Sequence, residues 1–92
     1  MPTVVVPTGT GDVQAVTGSG SLHGWSARES AGTAAVATVV LRDGTSAAGT
    51  PIAYIELPAN GSASERIPTV GFGTGLYVDR VAGETELSLY IG

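Results

Sequence analysis

The amino-acid sequence predicts an all-β fold, a single small antiparallel β-sandwich of about six to eight strands. Three observations carry this. No stretch repeats its apolar residues at helical spacing. Short runs rich in Val, Ile, Thr and Tyr alternate apolar with polar side chains, the period of a half-buried strand. Turn signals built from Gly, Pro, Asn and Asp separate these runs every eight to twelve residues or so, the spacing of a sandwich or barrel. Whether the sandwich is immunoglobulin-like or jelly-roll-like stays open at this level.

The first 21 residues read as an extended arm and residues 22–92 as the sandwich. The arm holds one charged side chain, Asp12. Its short β-prone runs, Thr3 to Val6 and Val13 to Thr17, are joined by the glycine-rich links Thr8-Gly9-Thr10-Gly11 and Gly18-Ser19-Gly20-Ser21. Such a segment is suited to lie along a neighbour. Met1-Pro2-Thr3 carries no positive charge and Val4-Val5-Val6 is a short apolar run, so no export signal is expected. The sequon Asn60-Gly61-Ser62 then reads as a turn.

Leu22 to Ser30 is the first strand of the sandwich, with Trp25 as its core anchor. Ala34 to Arg42 is β-branched and apolar on both faces, as a central strand would be. Its Thr38-Val39-Val40 run and the preceding Gly32 argue against a helix there. Asp43-Gly44 ends it. Ile52 to Leu57 follows, with Ala53, Ile55 and Leu57 on one face. Pro58-Ala59-Asn60-Gly61 is a turn whose Asn-Gly pair favours positive φ. Ser62 to Ile67 is a weaker strand at an edge, and Thr69 to Gly75 a loop. Leu76 to Val81 and Glu86 to Ile91 are joined by the turn Val81 to Glu84. In the last strand Leu87, Leu89 and Ile91 point inward.

Composition excludes more than it assigns. The chain of 92 residues has a net charge of −4, and its four basic residues are all arginine and well separated. Nucleic-acid binding needs clustered positive charge against phosphate, so no nucleic-acid partner is expected. No apolar run approaches a membrane span. There is no cysteine and one histidine, His23, a poor basis for a zinc site, and no Asp-x-Asp ligand loop for calcium. No metal and no cofactor is expected. Gly71-Phe72-Gly73-Thr74-Gly75 invites a phosphate-loop reading. A strand rather than a helix follows it, so it reads as a loop with several positive φ values. No Gly-x-Ser-x-Gly elbow is present. Asp43 and Glu84 fall in turns, and Glu56, Glu65, Asp79 and Glu86 on outward strand faces, so no acid/base pair is expected and the chain reads as non-enzymatic. Arg28 and Glu29 are adjacent and point to opposite faces; each is expected to pair across strands or across a subunit boundary.

The candidate partner-binding residues are Val4, Val5 and Val6 of the arm and the tyrosines Tyr54, Tyr77 and Tyr90. Each tyrosine falls opposite the apolar face of its strand, and outward aromatics on a charge-poor surface suit a contact patch. The low charge and small size suggest that a partner or self-association adds stability.

Gly24-Trp25-Ser26-Ala27-Arg28-Glu29, Val40-Leu41-Arg42-Asp43-Gly44, Ile52 to Leu57 and Gly75-Leu76-Tyr77-Val78 together resemble small virion proteins of tailed phages that infect actinobacteria. The likeness covers roughly residues 22–92. It implies a β-sandwich made in the host cytoplasm and mounted on the virion exterior, decorating or cementing the capsid. The partner would be the major capsid protein, with the chain a homo-oligomer, a trimer by preference, grouped round a local axis. The arm would add a strand to a neighbour's exposed sheet edge. The alternative is a carbohydrate- or receptor-binding module of a tail or fibre.

Overall fold

A computed structural model describes residues 3–92 and is all-β, with eight strands in two four-stranded antiparallel sheets. The strands are β1 (Thr3–Gly9), β2 (Val13–Thr17), β3 (Gly20–Glu29), β4 (Ala37–Asp43), β5 (Thr50–Leu57), β6 (Ser62–Phe72), β7 (Gly75–Ala82) and β8 (Thr85–Ile91). Sheet A has the order β1-β8-β3-β6 and sheet B the order β2-β7-β4-β5.

Each strand pairs with the one equally far from the other end of the series: β1 with β8, β2 with β7, β3 with β6, β4 with β5. The chain is thus a long hairpin wound so that successive pairs alternate between the sheets. This is the jelly-roll arrangement. Of the sequence-adjacent strands, β4 and β5 alone are hydrogen-bonded neighbours, unlike the sequential hairpins of an immunoglobulin sandwich.

The inward residues of each strand form one core. Sheet A contributes Val6, Leu22, Trp25, Ala27, Phe72, Leu87 and Leu89; sheet B contributes Ala37, Val39, Leu41, Ile55, Leu57, Leu76 and Val78. Trp25 is 7% exposed and packs as the predicted anchor. β4 is central in sheet B, and its outward Val40 is buried too, as its two-sided apolar pattern implied.

The extended arm is corrected. Its described residues, from Thr3 on, supply one strand to each sheet: Thr3 to Val6 lies in register against Leu87 to Tyr90, and Val13 to Thr17 against Gly75 to Val78. The physical reason is the inner face of β8, where Leu87 and Leu89 need a cover that Val4 and Val6 provide. Low charge and abundant glycine suit an edge strand with tight corners as well as an arm. Met1 and Pro2, part of the arm and of the segment read for an export signal, lie outside the described residues.

Smaller differences have local causes. β6 runs on through Thr69 and Val70 to Phe72, so the predicted loop from Thr69 shrinks to the bend at Gly73 and Thr74. Ala34 to Val36 precede β4 as exposed chain. None of Gly71, Gly73 and Gly75 has positive φ. Gly75 is required by close approach instead, since a Cβ there would sit 2.6 Å from the Val16 carbonyl oxygen. The turn readings agree with the structure: Asn60 has φ 60° and Gly83 φ 78°, both in the left-handed region.

Candidate functional site

The outer face of sheet A is a shallow polar groove of about 840 Å³. The register aligns Val5, Ser88, Ser26 and Ser64 in one row straight across the four strands. On one side of that row Arg28 stands opposite Glu86, with Arg28 Nη2 2.7 Å from Glu86 Oε2. This is the cross-strand pairing expected for Arg28. Both side chains are exposed, so the pair contributes little stability. On the other side Tyr90 stands opposite Gly24. A Cβ on Gly24 would come 3.3 Å from the ring, so the ring rests over the glycine. Its hydroxyl bonds Ser26 Oγ at 3.0 Å.

Tyr77 is also held. Its hydroxyl donates to Asp12 Oδ2 at 3.1 Å. Loss of hydration, and then the adjacent Asp12 carboxylate, push the Tyr77 phenol above its usual range. Tyr54 is different: it is 69% exposed, on edge strand β5. It stands at the rim of an apolar cleft of about 430 Å³ where β5 and β6 part, with Trp25, Ile52, Ile67 and Pro68 among the lining residues.

The three valines divide in the same way. Val6 is 2% exposed and belongs to the core, Val4 packs against it, and Val5 is 73% exposed on the outer face. Of the six sequence candidates, Val5 and Tyr54 offer free side chains. The groove and cleft do not bring them together: Val5 is on an edge strand of sheet A, Tyr54 on an edge strand of sheet B.

Three polar anchors were not foreseen. Arg80, 7% exposed, spans the corner where the chain leaves sheet A for sheet B. Its Nη2 donates to the carbonyl oxygens of Pro7 at 2.6 Å and Thr85 at 3.2 Å. Nη1 donates to the Gly11 carbonyl at 3.0 Å and Nε to Thr85 Oγ1 at 3.1 Å. The Asp12 carboxylate accepts the Arg80 amide at 2.9 Å. The glycine-rich link is therefore pinned from residues about seventy positions away, a separation no local pattern reveals.

Asp43 accepts the amides of Gly73 and Thr74 at 3.0 Å and of Gly75 at 3.4 Å. Those amides, Gly73's first, hold its carboxyl below the usual range. The donors a phosphate would have used are thus taken by the chain's own carboxylate. Glu29 plays the same part at the entry to β6, accepting the Asn60 amide at 2.8 Å and the Ala31 amide at 2.6 Å. These bonds, Asn60's first, lower its pKa despite burial. The acid next to Arg28 thus bonds to backbone. On sheet B's outer face, Arg42 Nε meets Asp79 Oδ2 at 3.0 Å and Arg42 Nη1 the Gly49 carbonyl at 3.0 Å.

Among the described residues no three His, Asp or Glu side chains gather as a metal site, and no helix is long and apolar enough to cross a membrane. Compared with known proteins, the chain matches no family model, no curated protein and no solved structure.

Proposed function

We propose that the chain is a non-enzymatic structural protein of a phage virion, decorating or cementing the capsid by binding the major capsid protein. The observation that supports this reading is the placement of two of the four exposed large apolar side chains among the described residues, Val5 and Tyr54; the other two, Val36 and Val81, lie just before β4 and near the end of β7. Val5 and Tyr54 lie on edge strands, at the perimeter of the sandwich, where a protein set into a shell meets its neighbours. The jelly roll itself serves capsid and lectin domains alike, so fold alone does not choose between them.

The test adds purified chain to capsids assembled without it and measures occupancy by co-sedimentation and electron microscopy. Saturable binding, reduced at least tenfold by the double variant Val5→Lys, Tyr54→Ser, is expected. Absence of binding by the unaltered chain would sink the capsid reading; equal binding by the double variant would sink this contact surface. Truncating the N-terminal residues is not a usable test, because β1 belongs to sheet A and β2 to sheet B.

A second reading, a carbohydrate-binding module, is favoured by the Tyr54-rimmed cleft. Exposed aromatics stack on sugar faces, and Glu65 lines the same cleft as a hydrogen-bond acceptor. A glycan array separates the two: selective retention that Tyr54→Ser abolishes supports the second reading.

A further inference from the structure

Four strands lie at sheet edges: β1 and β6 in sheet A, β2 and β5 in sheet B. Natural sandwiches blunt such edges with charge, proline, bulges or short length, because a bare edge adds strands. Three of the four are blunted. β6 carries Glu65, Arg66 and Pro68, and three of its residues, Ile67 to Thr69, face the single residue His23 of β3. β5 carries Pro51 and Glu56 and a register shift opposite Leu41 and Arg42. β2 is five residues long and irregular between Gln14 and Val16. On β1 these devices come late: Pro7 and a register shift lie beyond Val6, while Thr3 to Val6 is in unbroken register with β8, is rich in valine, and has no ionisable side chain as far as Gly11.

We propose that the free edge of β1 is a self-association site, where a second copy of this chain adds its own β1 antiparallel and joins two A sheets into one. Two features choose a second copy as the occupant. The edge is uncharged, so two copies of a chain with net charge −4 can meet there without opposing like charges. The edge is also self-complementary. With Val5 opposite the partner's Val5, Val4 faces the partner's Val6 and Thr3 the partner's Pro7, which brings no N–H, so the added ladder centres on Val4 to Val6. Outward residues then oppose outward ones, and core-facing residues core-facing ones, as the two-residue period of a strand demands. The exposed Val5 is covered by its own counterpart. An antiparallel self-pairing closes after two copies, so the assembly is a dimer rather than the trimer favoured from sequence. This inference holds whether or not the capsid reading does.

Sedimentation equilibrium of the full chain, over a rising concentration series, tests it. The expected result is a twofold rise in mass, abolished by Val5→Lys and kept by Ser64→Lys, which places the same charge on the same face of β6. Circular dichroism checks that each variant stays folded; Val5 is exposed, so Val5→Lys removes no core contact. A mass that stays monomeric at every concentration overturns the proposal. So does a dimer that survives Val5→Lys, or one that both lysine variants dissolve.

Discussion

The two edges of sheet A are built in opposite ways. β6 is long, exposed and charged, bent by Pro68 and its bulge, and tied at its start by the Glu29 carboxylate. β1 is shorter and uncharged, smooth from Thr3 to Val6 with its proline and register shift beyond, and it is fixed by Val6 in the core and by Arg80 holding the Pro7 carbonyl. One edge is shaped to refuse another strand, and the other is bare. Both are edges of a single sheet, so the difference lies in side chains and anchors rather than in the fold.

The largest effect that would break this comparison is expected at Arg80. Arg80→Met removes the donors to the Pro7, Gly11 and Thr85 carbonyls and leaves them poorly satisfied. A loss of about 3 kcal/mol and a fall in Tm on the order of 15 °C are expected by calorimetry. An unchanged Tm would mean that β1 does not depend on this corner.

Acid should act on the other side of the comparison. Glu29 and Asp43 have folded pKa values below their unfolded ones. Their contribution is therefore fully present above the ordinary carboxylate range of about 4 and is lost as pH falls through the lower folded values. A Tm series from neutral pH downward should decline in that acid window, and Glu29→Gln, which ties β6 less well at every pH, should flatten the decline.

A smaller effect separates the tyrosines. Tyr77→Phe loses the hydroxyl bonded to Asp12 and should cost about 1 kcal/mol, whereas Tyr54→Ser at the exposed rim should cost under about 0.5 kcal/mol. Thermal melts of the two variants, compared side by side, check this order. Smallest of all is Val5→Lys, which should leave monomer stability within about 0.5 kcal/mol; a large loss would show that Val5 is not the outward residue described here.

What could be read from sequence follows from distance along the chain. The two-residue alternation in Ile52 to Leu57 and Glu86 to Ile91 is local, and each strand faces the way its pattern implied. The turns at Asn60 and Gly83 are local too. The place of Thr3 to Val6 is not, because it depends on Leu87 and Leu89 at the far end of the chain. The fates of the tyrosines divided for the same reason: Tyr77 is tied by Asp12 from 65 residues away and Tyr90 by Ser26 from 64. Their outward direction was readable, and their hydrogen-bond partners were not. In Gly71 to Gly75 the glycines were visible, but the constraint on Gly75 is the approach of β2, which appears only when the sheet is assembled.

β1 is a fixed strand whose outer edge is bare from Thr3 to Val6. Amide hydrogen exchange at Thr3, Val4, Val5 and Val6, measured at low and at high protein concentration, tests this most directly. An edge strand bonded on one side protects alternate amides. The predicted result is that alternation in dilute solution, filling in to protection of all four as a second copy adds. Free exchange at all four residues in both samples would return these residues to an unattached arm, and an alternation unchanged at high concentration would leave the edge without its partner.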